Sequence, residues 1–377
     1  METLAEAGYD VDIICLRRKG QKGAETIDGV HVYRLPVEHK RLGLFRNLSE
    51  YSTFVVLASM KLAFLHLRKR YAVIEVNNMP DFLVFTTVLP KMLGAKVILY
   101  VFDNMPEDFA FKHGFRSSHP AIRLLRWCER ISTAYADRVI VTQNSAKRVL
   151  ESHGVQSSKM SVVVNVPNEG IFYPVAVAAD AQRKGRFRVM THASIIYNYG
   201  IQTIIRAIPL LVDQIPGLEV QIVGEGEYLG ELVKLAHDLE VEERVEFTGY
   251  VPHKVIPQMI SEADVGVITI LNDLMLPSKL FEYVAMAKPV IVTAQPTMKE
   301  YFDDDSAVFY EPDSENDLAR CLSALYRNPQ QMAALAQHGM AIYEKYRWSR
   351  SKYEYLHVYE RLAKVGKEHH AGDDWDA

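Results

Sequence analysis

Short runs of β-branched and aliphatic residues alternate along the chain with longer stretches whose apolar positions recur every three or four residues. That alternation marks parallel strands joined by crossover helices. In the first half it predicts strands at 11–15, 30–35, 72–76, 96–101, 138–142 and 161–164, and helices at 48–67, 81–93, 121–136 and 145–152. The run 167–185 breaks the pattern with Pro167, Pro174 and the small residues of 175–181, and reads as a linker. The pattern then restarts. Strands are expected at 187–191, 218–223, 245–247, 265–268 and 289–293, with helices at 199–214, 227–239, 254–263 and 278–287. Three helices close the chain, one of them after Trp348.

Two successive α/β units of similar size give the expected fold: two Rossmann-like, doubly wound domains facing across a cleft. Residues 1–172 form the first domain and 173–345 the second; 346–377 supply a helix packing back on the first domain, then a disordered tail. A chain of 377 residues is too long for one hydrophobic core, which agrees with two domains. The opening is the exception. Met-Glu-Thr-Leu-Ala-Glu-Ala-Gly reads as the end of a helix capped at Gly8, where a Rossmann unit opens with a strand. In the strand order 3-2-1-4-5-6 the first strand is central, so its loss leaves a hole in the sheet. The expectation is a first domain truncated at its start; the alternative is a fold that begins one element later.

Composition narrows the function classes. The chain is 49% hydrophobic and 24% charged with a net charge of -4, which gives no reason to expect nucleic acid as a partner. Basic residues cluster in the first half, at Arg17-Arg18-Lys19, Arg68-Lys69-Arg70, Lys112, Arg116, Arg123 and Arg126. They fit docking on the anionic inner face of a membrane and plain solvated helix surfaces equally well. Cys15, Cys128 and Cys321 are too scattered for a disulfide framework or a metal motif, which favours a reducing compartment. No apolar run reaches the roughly 18 residues that span a bilayer; the longest, 54–65, is interrupted by Ser59 and Lys61 and reads as a core helix. With no signal peptide in view, the expected location is cytoplasmic.

The segment Leu276-Pro277-Ser278-Lys279-Leu280-Phe281-Glu282-Tyr283-Val284-Ala285-Met286-Ala287-Lys288-Pro289-Val290-Ile291 carries the most chemistry. Pro277 at a helix start, with Ser278 able to cap it, makes a helix N-terminus whose amides face outward and attract phosphate. Lys279 adds a full positive charge on the first turn. Glu282, about one turn further in, can accept two hydrogen bonds from vicinal ribose hydroxyls. The spacing alone fits equally a Ser278 that only caps and a Glu282 that only complements the helix dipole.

This string resembles the donor-binding motif of glycosyltransferase family 4, retaining enzymes of the GT-B fold and the glycogen-synthase-like clan, in a Pro-Ser-Lys-Leu-Phe-Glu-Tyr subgroup. Val223-Gly224-Glu225-Gly226 resembles the family's strand-end glycine turn, and 245–252, with Tyr250 and Val251, the strand and loop that hold the base. Ala263-Asp264-Val265-Gly266-Val267 resembles the strand leading to the donor loop. Asn78-Met79-Pro80-Asp81-Phe82 and Asp103-Asn104-Met105-Pro106-Glu107 resemble acceptor-side loops. The resemblance covers nearly the whole chain. It implies transfer of a sugar from a nucleoside-diphosphate-sugar to a glycan or lipid-linked acceptor, with retention, in surface polysaccharide assembly. It implies no metal and no cofactor beyond the nucleotide-sugar co-substrate. Catalytic roles fall to Asp103, Glu107 and Lys279; donor contacts to Leu276, Pro277, Ser278, Lys279, Glu282, Gly224, Tyr250 and Val251.

The chain also departs from the family. The Arg and Lys that grip the diphosphate correspond to Ser194 and Tyr199, so His192, Ser194, Tyr199 and Gly200 become the expected diphosphate-loop residues. Leu274 stands where an acidic residue serves the donor sugar, and Phe102 where a histidine is common. Ala287 replaces a usual glycine, expected as a packing change. These departures leave two rivals: a GT-B nucleotide-sugar 2-epimerase, and a nucleotide-binding remnant that acts through partners. A nicotinamide dehydrogenase is disfavoured, because no G-x-G-x-x-G opens either domain.

Overall fold

A computed structural model describes residues 1–18, 20–37, 44–175 and 185–370, the side chains of 44–50 and 364–370 excepted. Lys19, residues 38–43, residues 176–184 of the expected linker and the tail after 370 lie outside the described residues. The chain divides into two compact units, Met1–Val163 with Lys352–Ala377, and Val164–Ser351. The divisions fall at 163/164 and 351/352, where the sequence reading places 172/173 and 345/346.

The first unit holds α1 (Glu2–Glu6), β1 (Val11–Leu16), β2 (Ala24–Ile27), β3 (Val30–Leu35), α2 (Leu44–Lys69) and β4 (Val73–Asn77). It continues through α3 (Val88–Met92), β5 (Lys96–Val101), α4 (Met105–His113), α5 (Pro120–Tyr135), β6 (Arg138–Val141), α6 (Asn144–Ser152) and β7 (Met160–Val162). Strands β4-β5-β6-β7 form a parallel sheet in that order. Strands β1-β3-β2 form a second sheet, with β2 antiparallel to β3 across a two-residue turn. Both turn residues, Asp28 and Gly29, sit at positive φ, as a turn matched to strand twist requires.

Three sequence expectations change here. The single helix expected at 81–93 is a 3-10 turn over Asp81–Thr87 followed by α3, because the Thr86 and Thr87 hydroxyls donate back to the carbonyls of Leu83 and Val84. Helix α4 is additional. The 54–65 stretch is core on one face only: Ala58, Leu62 and Leu65 are buried, while Val56, Met60 and Phe64, with Leu67 just beyond, are exposed. A helix lying on a sheet buries one stripe, so the outer apolar stripe has another cause.

The second unit holds β8 (Phe187–His192), α7 (Gln202–Ala207), β9 (Leu218–Val223), α8 (Leu229–Asp238), β10 (Val245–Gly249), α9 (Ile256–Glu262) and β11 (Val265–Ile268). It continues with α10 (Ser278–Ala285), β12 (Val290–Thr293), α11 (Pro296–Lys299), β13 (Val308–Tyr310), α12 (Glu315–Arg327), α13 (Pro329–Tyr346) and the start of α14 (Trp348–His370). All six strands are parallel in the order β10-β9-β8-β11-β12-β13. This is the doubly wound order 3-2-1-4-5-6, whose connections reverse between β8 and β11. Every residue of β11 and β12 is buried, as a strand covered on both faces must be.

From Lys352 on, α14 belongs to the first unit. There the Tyr355 and Tyr359 hydroxyls donate to Glu75 Oε2 at 3.1 and 2.7 Å.

Candidate functional site

The crevice beyond the strand ends, where the connections reverse, is where a doubly wound sheet binds ligands. His192 ends β8 there, and α10 follows β11 on the other side. One glycine sets how closely α10 approaches. A Cβ on Gly266, in β11, would lie 2.6 Å from the Tyr283 ring, so only glycine admits that fully buried tyrosine under the helix. Tyr283 Oη then donates to the Met190 carbonyl at 3.1 Å and stands 3.1 Å from His192 Nδ1.

Glu282 lies beside that tyrosine, 5% exposed. Its Oε2 accepts from His192 Nε2 at 2.8 Å, and its Oε1 lies 3.5 Å from His253 Nε2. Burial alone would raise this carboxyl, but the two histidines outweigh it and hold it at about 2. His253 is raised in turn by its bond to Glu282. Glu282 is thus a fixed anion whose oxygens already have partners. His253, with its side chain 61% exposed and its ring 5.0 Å from that of Phe172, is the partner with room to move.

The N-terminus of α10 differs from the expected cap. Pro277, extended at φ -73 and ψ 130, holds the N-cap position, Ser278 is the first helical residue, and no side chain caps the helix. The proline side chain offers no acceptor, so the Ser278 and Lys279 amides have no acceptor among the described residues, whereas Leu280 N–H donates to the Pro277 carbonyl at 3.1 Å. Lys279 is only 6% exposed, and its Nζ has no hydrogen-bond partner among the described residues. It stands over the face of the Tyr199 ring, 4.6 Å from Nζ to the centroid. Burial, opposed by Glu282, pulls its pKa down to about 8. A buried ammonium without a partner beside free helix-end amides is a seat for an anion.

The surrounding loops are pinned by backbone bonds. Leu271 N–H donates to the Asn198 carbonyl at 3.1 Å, and the Thr269 hydroxyl to that of Tyr199, which fixes the Tyr197–Gly200 turn against the loop after β11. Gly200 is left-handed at φ +65 and buried. Gly224, at φ +139, faces the Ala193 carbonyl, which a Cβ would meet at 1.9 Å. Its role here is therefore to admit the 193–195 loop. Leu276 and Pro277 are buried, Ser278 and Val251 are half-buried, and Ser194 and Tyr250 are exposed, Tyr250 at 69%.

Asp273, next to Leu274, holds the start of α11: its Oδ1 accepts from Thr297 N–H at 2.8 Å. Ala287 is more than a packing change. It sits at φ +53, where a Cβ is strained and glycine is preferred. His253 and Tyr283 were not among the expected site residues. Tyr283 adjoins Glu282 in the motif, but nothing in the sequence signals that His253, 29 residues upstream, meets the same carboxylate.

In the first unit, Asp103 precedes α4 without capping it. Burial and the neighbouring Asp108 raise its pKa. Asn78 links the 78–82 and 103–107 loops, donating to Asp81 at 3.0 Å and to the Asp103 carbonyl at 2.8 Å, and accepting from Phe102 N–H at 2.9 Å. The Phe102 ring stacks on Tyr100 at 4.4 Å. Glu107 is committed elsewhere. It lies 3.0 Å from Arg126 and 3.4 Å from His153, contacts that outweigh burial and lower its pKa, and His153 also bonds Glu129 at 2.6 Å. Its surroundings are those of a positioning charge.

Two family models match the chain: a glycosyl transferase 4-like domain over residues 1–166 and glycosyl transferases group 1 over residues 178–341. The chain is a family 4-type glycosyltransferase. Among curated proteins, a GDP-mannose-dependent alpha-(1-6)-phosphatidylinositol monomannoside mannosyltransferase from Mycobacterium tuberculosis is 35% identical over 94 residues. That match spans 23% of this chain and only 24% of the relative. Among solved structures, sucrose-phosphate synthase from Thermosynechococcus elongatus aligns with a TM-score of 0.76 at 19% identity, covering 97% of this chain and 92% of the other. Anabaena HepE in complex with UDP aligns at 0.66 and 16%, covering 89% and 86%. These likenesses are in fold, and they make the glycosyltransferase a two-Rossmann, GT-B enzyme. No helix among the described residues is long and apolar enough to cross a membrane.

Proposed function

We propose that the glycosyltransferase binds a nucleoside-diphosphate-sugar in its second unit and transfers the sugar, with retention, to a glycan or lipid-linked acceptor in surface polysaccharide assembly. The carrying observation is Lys279, a buried ammonium with no hydrogen-bond partner beside two free helix-end amides. A diphosphate supplies what that corner lacks. The Tyr197–Gly200 turn flanks it, and the ribose hydroxyls replace the 3.5 Å contact between His253 and Glu282. As the bond from the anomeric carbon to the diphosphate breaks, charge grows on the leaving oxygen, and Lys279 and the α10 amides stabilise it in place. They take the neutralising role without a metal. The base is UDP- or GDP-type: solved HepE holds UDP, and the mycobacterial relative is GDP-mannose-dependent.

The first unit serves the acceptor, with Asp103 beside its hydroxyl and Glu107 holding the loop through Arg126 and His153. Contact with an anionic bilayer surface fits the exposed Val56, Met60, Phe64 and Leu67 on α2, whose stretch from Tyr51 to Lys69 carries Lys61, Arg68 and Lys69 and no acid.

The test is turnover of UDP- and GDP-sugars, read as released nucleotide. At least one donor is consumed, EDTA leaves the rate unchanged, and Lys279→Met lowers kcat/KM by about 100-fold, as for removal of one preorganised charge donor. Full activity in Lys279→Met, or loss of activity in EDTA, overturns the reading.

A further inference from the structure

The two histidines hold Glu282 unequally. His192 reaches Oε2 at 2.8 Å, its other ring nitrogen stands 3.1 Å from Tyr283 Oη, and its side chain is 12% exposed. That arm is short and fixed at both ends. His253 reaches Oε1 at 3.5 Å, the outer limit of a hydrogen bond, with its side chain 61% exposed. It opens a 3-10 turn, His253–Val255, in the loop after β10, and its ring packs at a tilt on the buried Phe172. This arm is long and open to solvent.

The groups that face His253 are few. On α10 they are Glu282 and, behind it, Lys279 and Tyr283; on β8, His192; and in its own turn, Lys254. Glu282, Lys279 and Tyr283 are buried and His192 is half-buried, so a ligand coming from solvent reaches Oε1 by moving His253 aside. The bond to Glu282 raises the pKa of His253 against burial, so the ring meets the carboxylate as an imidazolium. An imidazolium lends Oε1 one N–H; a ribose diol brings two hydroxyls and no charge.

We propose that His253 is a placeholder for the donor's ribose, an imidazolium that covers Glu282 Oε1 until the diol takes its place and that gives up its proton to solvent as it leaves. The inference rests on the reading of Glu282 as the ribose carboxylate and adds to it a proton-linked control of donor affinity.

The sign follows from which state holds the proton. Paired with Glu282, His253 keeps its proton above the ordinary 6.5; displaced into solvent, it returns toward 6.5. Donor binding therefore releases a proton around and above that pH, and affinity rises with pH. Glu282, at about 2, stays ionised throughout. Lys279, at about 8, stays charged up to about pH 7, so its own proton uptake on meeting a diphosphate does not mask the release below that pH.

The test is calorimetric titration at pH 6 and 7 with UDP-glucose and GDP-mannose, whose diphosphate diesters do not titrate near neutrality. One of them is expected to bind about two- to tenfold more tightly at pH 7, tenfold per pH unit being the limit for one proton, with about 0.3–1 proton released. His253→Gln keeps a hydrogen-bonding side chain that does not titrate, and its two affinities converge. In His253→Ala the affinity at pH 6 rises to that of the parent at pH 7 or beyond. An NMR titration of the parent needs no variant: the His253 midpoint lies above 6.5 and moves toward it with saturating donor. Equal affinities in the parent at both pH values, a pH dependence that survives in His253→Gln, weaker binding in His253→Ala, or a midpoint that donor does not move overturns the proposal and leaves the donor site standing. No binding of either sugar nucleotide at either pH removes both.

Discussion

Replacing Lys279 by methionine separates stability from function. The fold pulls the ammonium from an ordinary 10.5 to about 8, and at about 1.4 kcal/mol per pH unit the charged form costs the ligand-free protein roughly 3 kcal/mol. The sign follows from proton binding. Between pH 8 and 10.5 the unfolded chain holds the proton that the folded chain has released, so stability rises with pH across that window, and the full cost is present below it. Methionine fills similar space without the charge. Lys279→Met is therefore expected to raise the melting temperature of the ligand-free protein at pH 7 by several degrees, since about 1 kcal/mol moves a unit of this size by roughly 2–4 °C. It also flattens the alkaline rise. The same variant loses its response to UDP or GDP, which at 100 times the dissociation constant stabilises the unmodified protein by about 2.7 kcal/mol. Differential scanning fluorimetry across pH 6 to 11, with and without nucleotide, reads both. A variant less stable than the parent at pH 7 that still responds to nucleotide refutes the reasoning.

Four further outcomes follow from the same structure. Glu282, held at about 2, contributes stability that is present above its ordinary 4.5 and lost as pH falls toward 2; Glu282→Gln should remove on the order of 2 kcal/mol at neutral pH and flatten that acid limb in urea titrations. Ala287→Gly relieves about 1–2 kcal/mol of left-handed strain against 0.5–1 kcal/mol of added chain entropy, so its urea midpoint should rise slightly; a fall contradicts the assignment. His153, raised to about 9 by its bonds to Glu107 and Glu129 against burial, contributes stability that is complete below 6.5 and lost as pH rises through 9; an NMR titration should find that midpoint, and Glu107→Gln should move it toward 6.5. If α2 meets an anionic bilayer, Met60→Glu with Leu67→Glu should abolish sedimentation with phosphatidylglycerol vesicles and leave donor turnover intact.

Much of the fold was legible because buried parallel strands write themselves as short aliphatic runs. Lys96–Val101, Leu218–Val223 and Val265–Ile268 were placed to the residue. The strand Ala24–Ile27 was missed although Asp28-Gly29 is a strong hairpin signal, because its own residues, Ala-Glu-Thr-Ile, are largely exposed and show little apolar pattern. Helix α4 was missed although Pro106, the acids Glu107 and Asp108, and the left-handed cap at Gly114 all mark it.

At the candidate site on α10 the motif singles out Glu282 and Lys279 but not their environments. A lysine on a first turn reads as solvated; that Lys279 is buried depends on Tyr199, 80 residues earlier in the chain. The His192–Glu282–His253 clamp is likewise assembled from three separate elements, and only the folded sheet brings them together.

The most direct measurement is a crystal structure with UDP or GDP bound. The account predicts a diphosphate oxygen within about 3 Å of Lys279 Nζ, others on the Ser278 and Lys279 amides, and the ribose diol on Glu282 in place of His253. A nucleotide bound elsewhere, with Lys279 Nζ still unpartnered and the clamp on Glu282 closed, contradicts it.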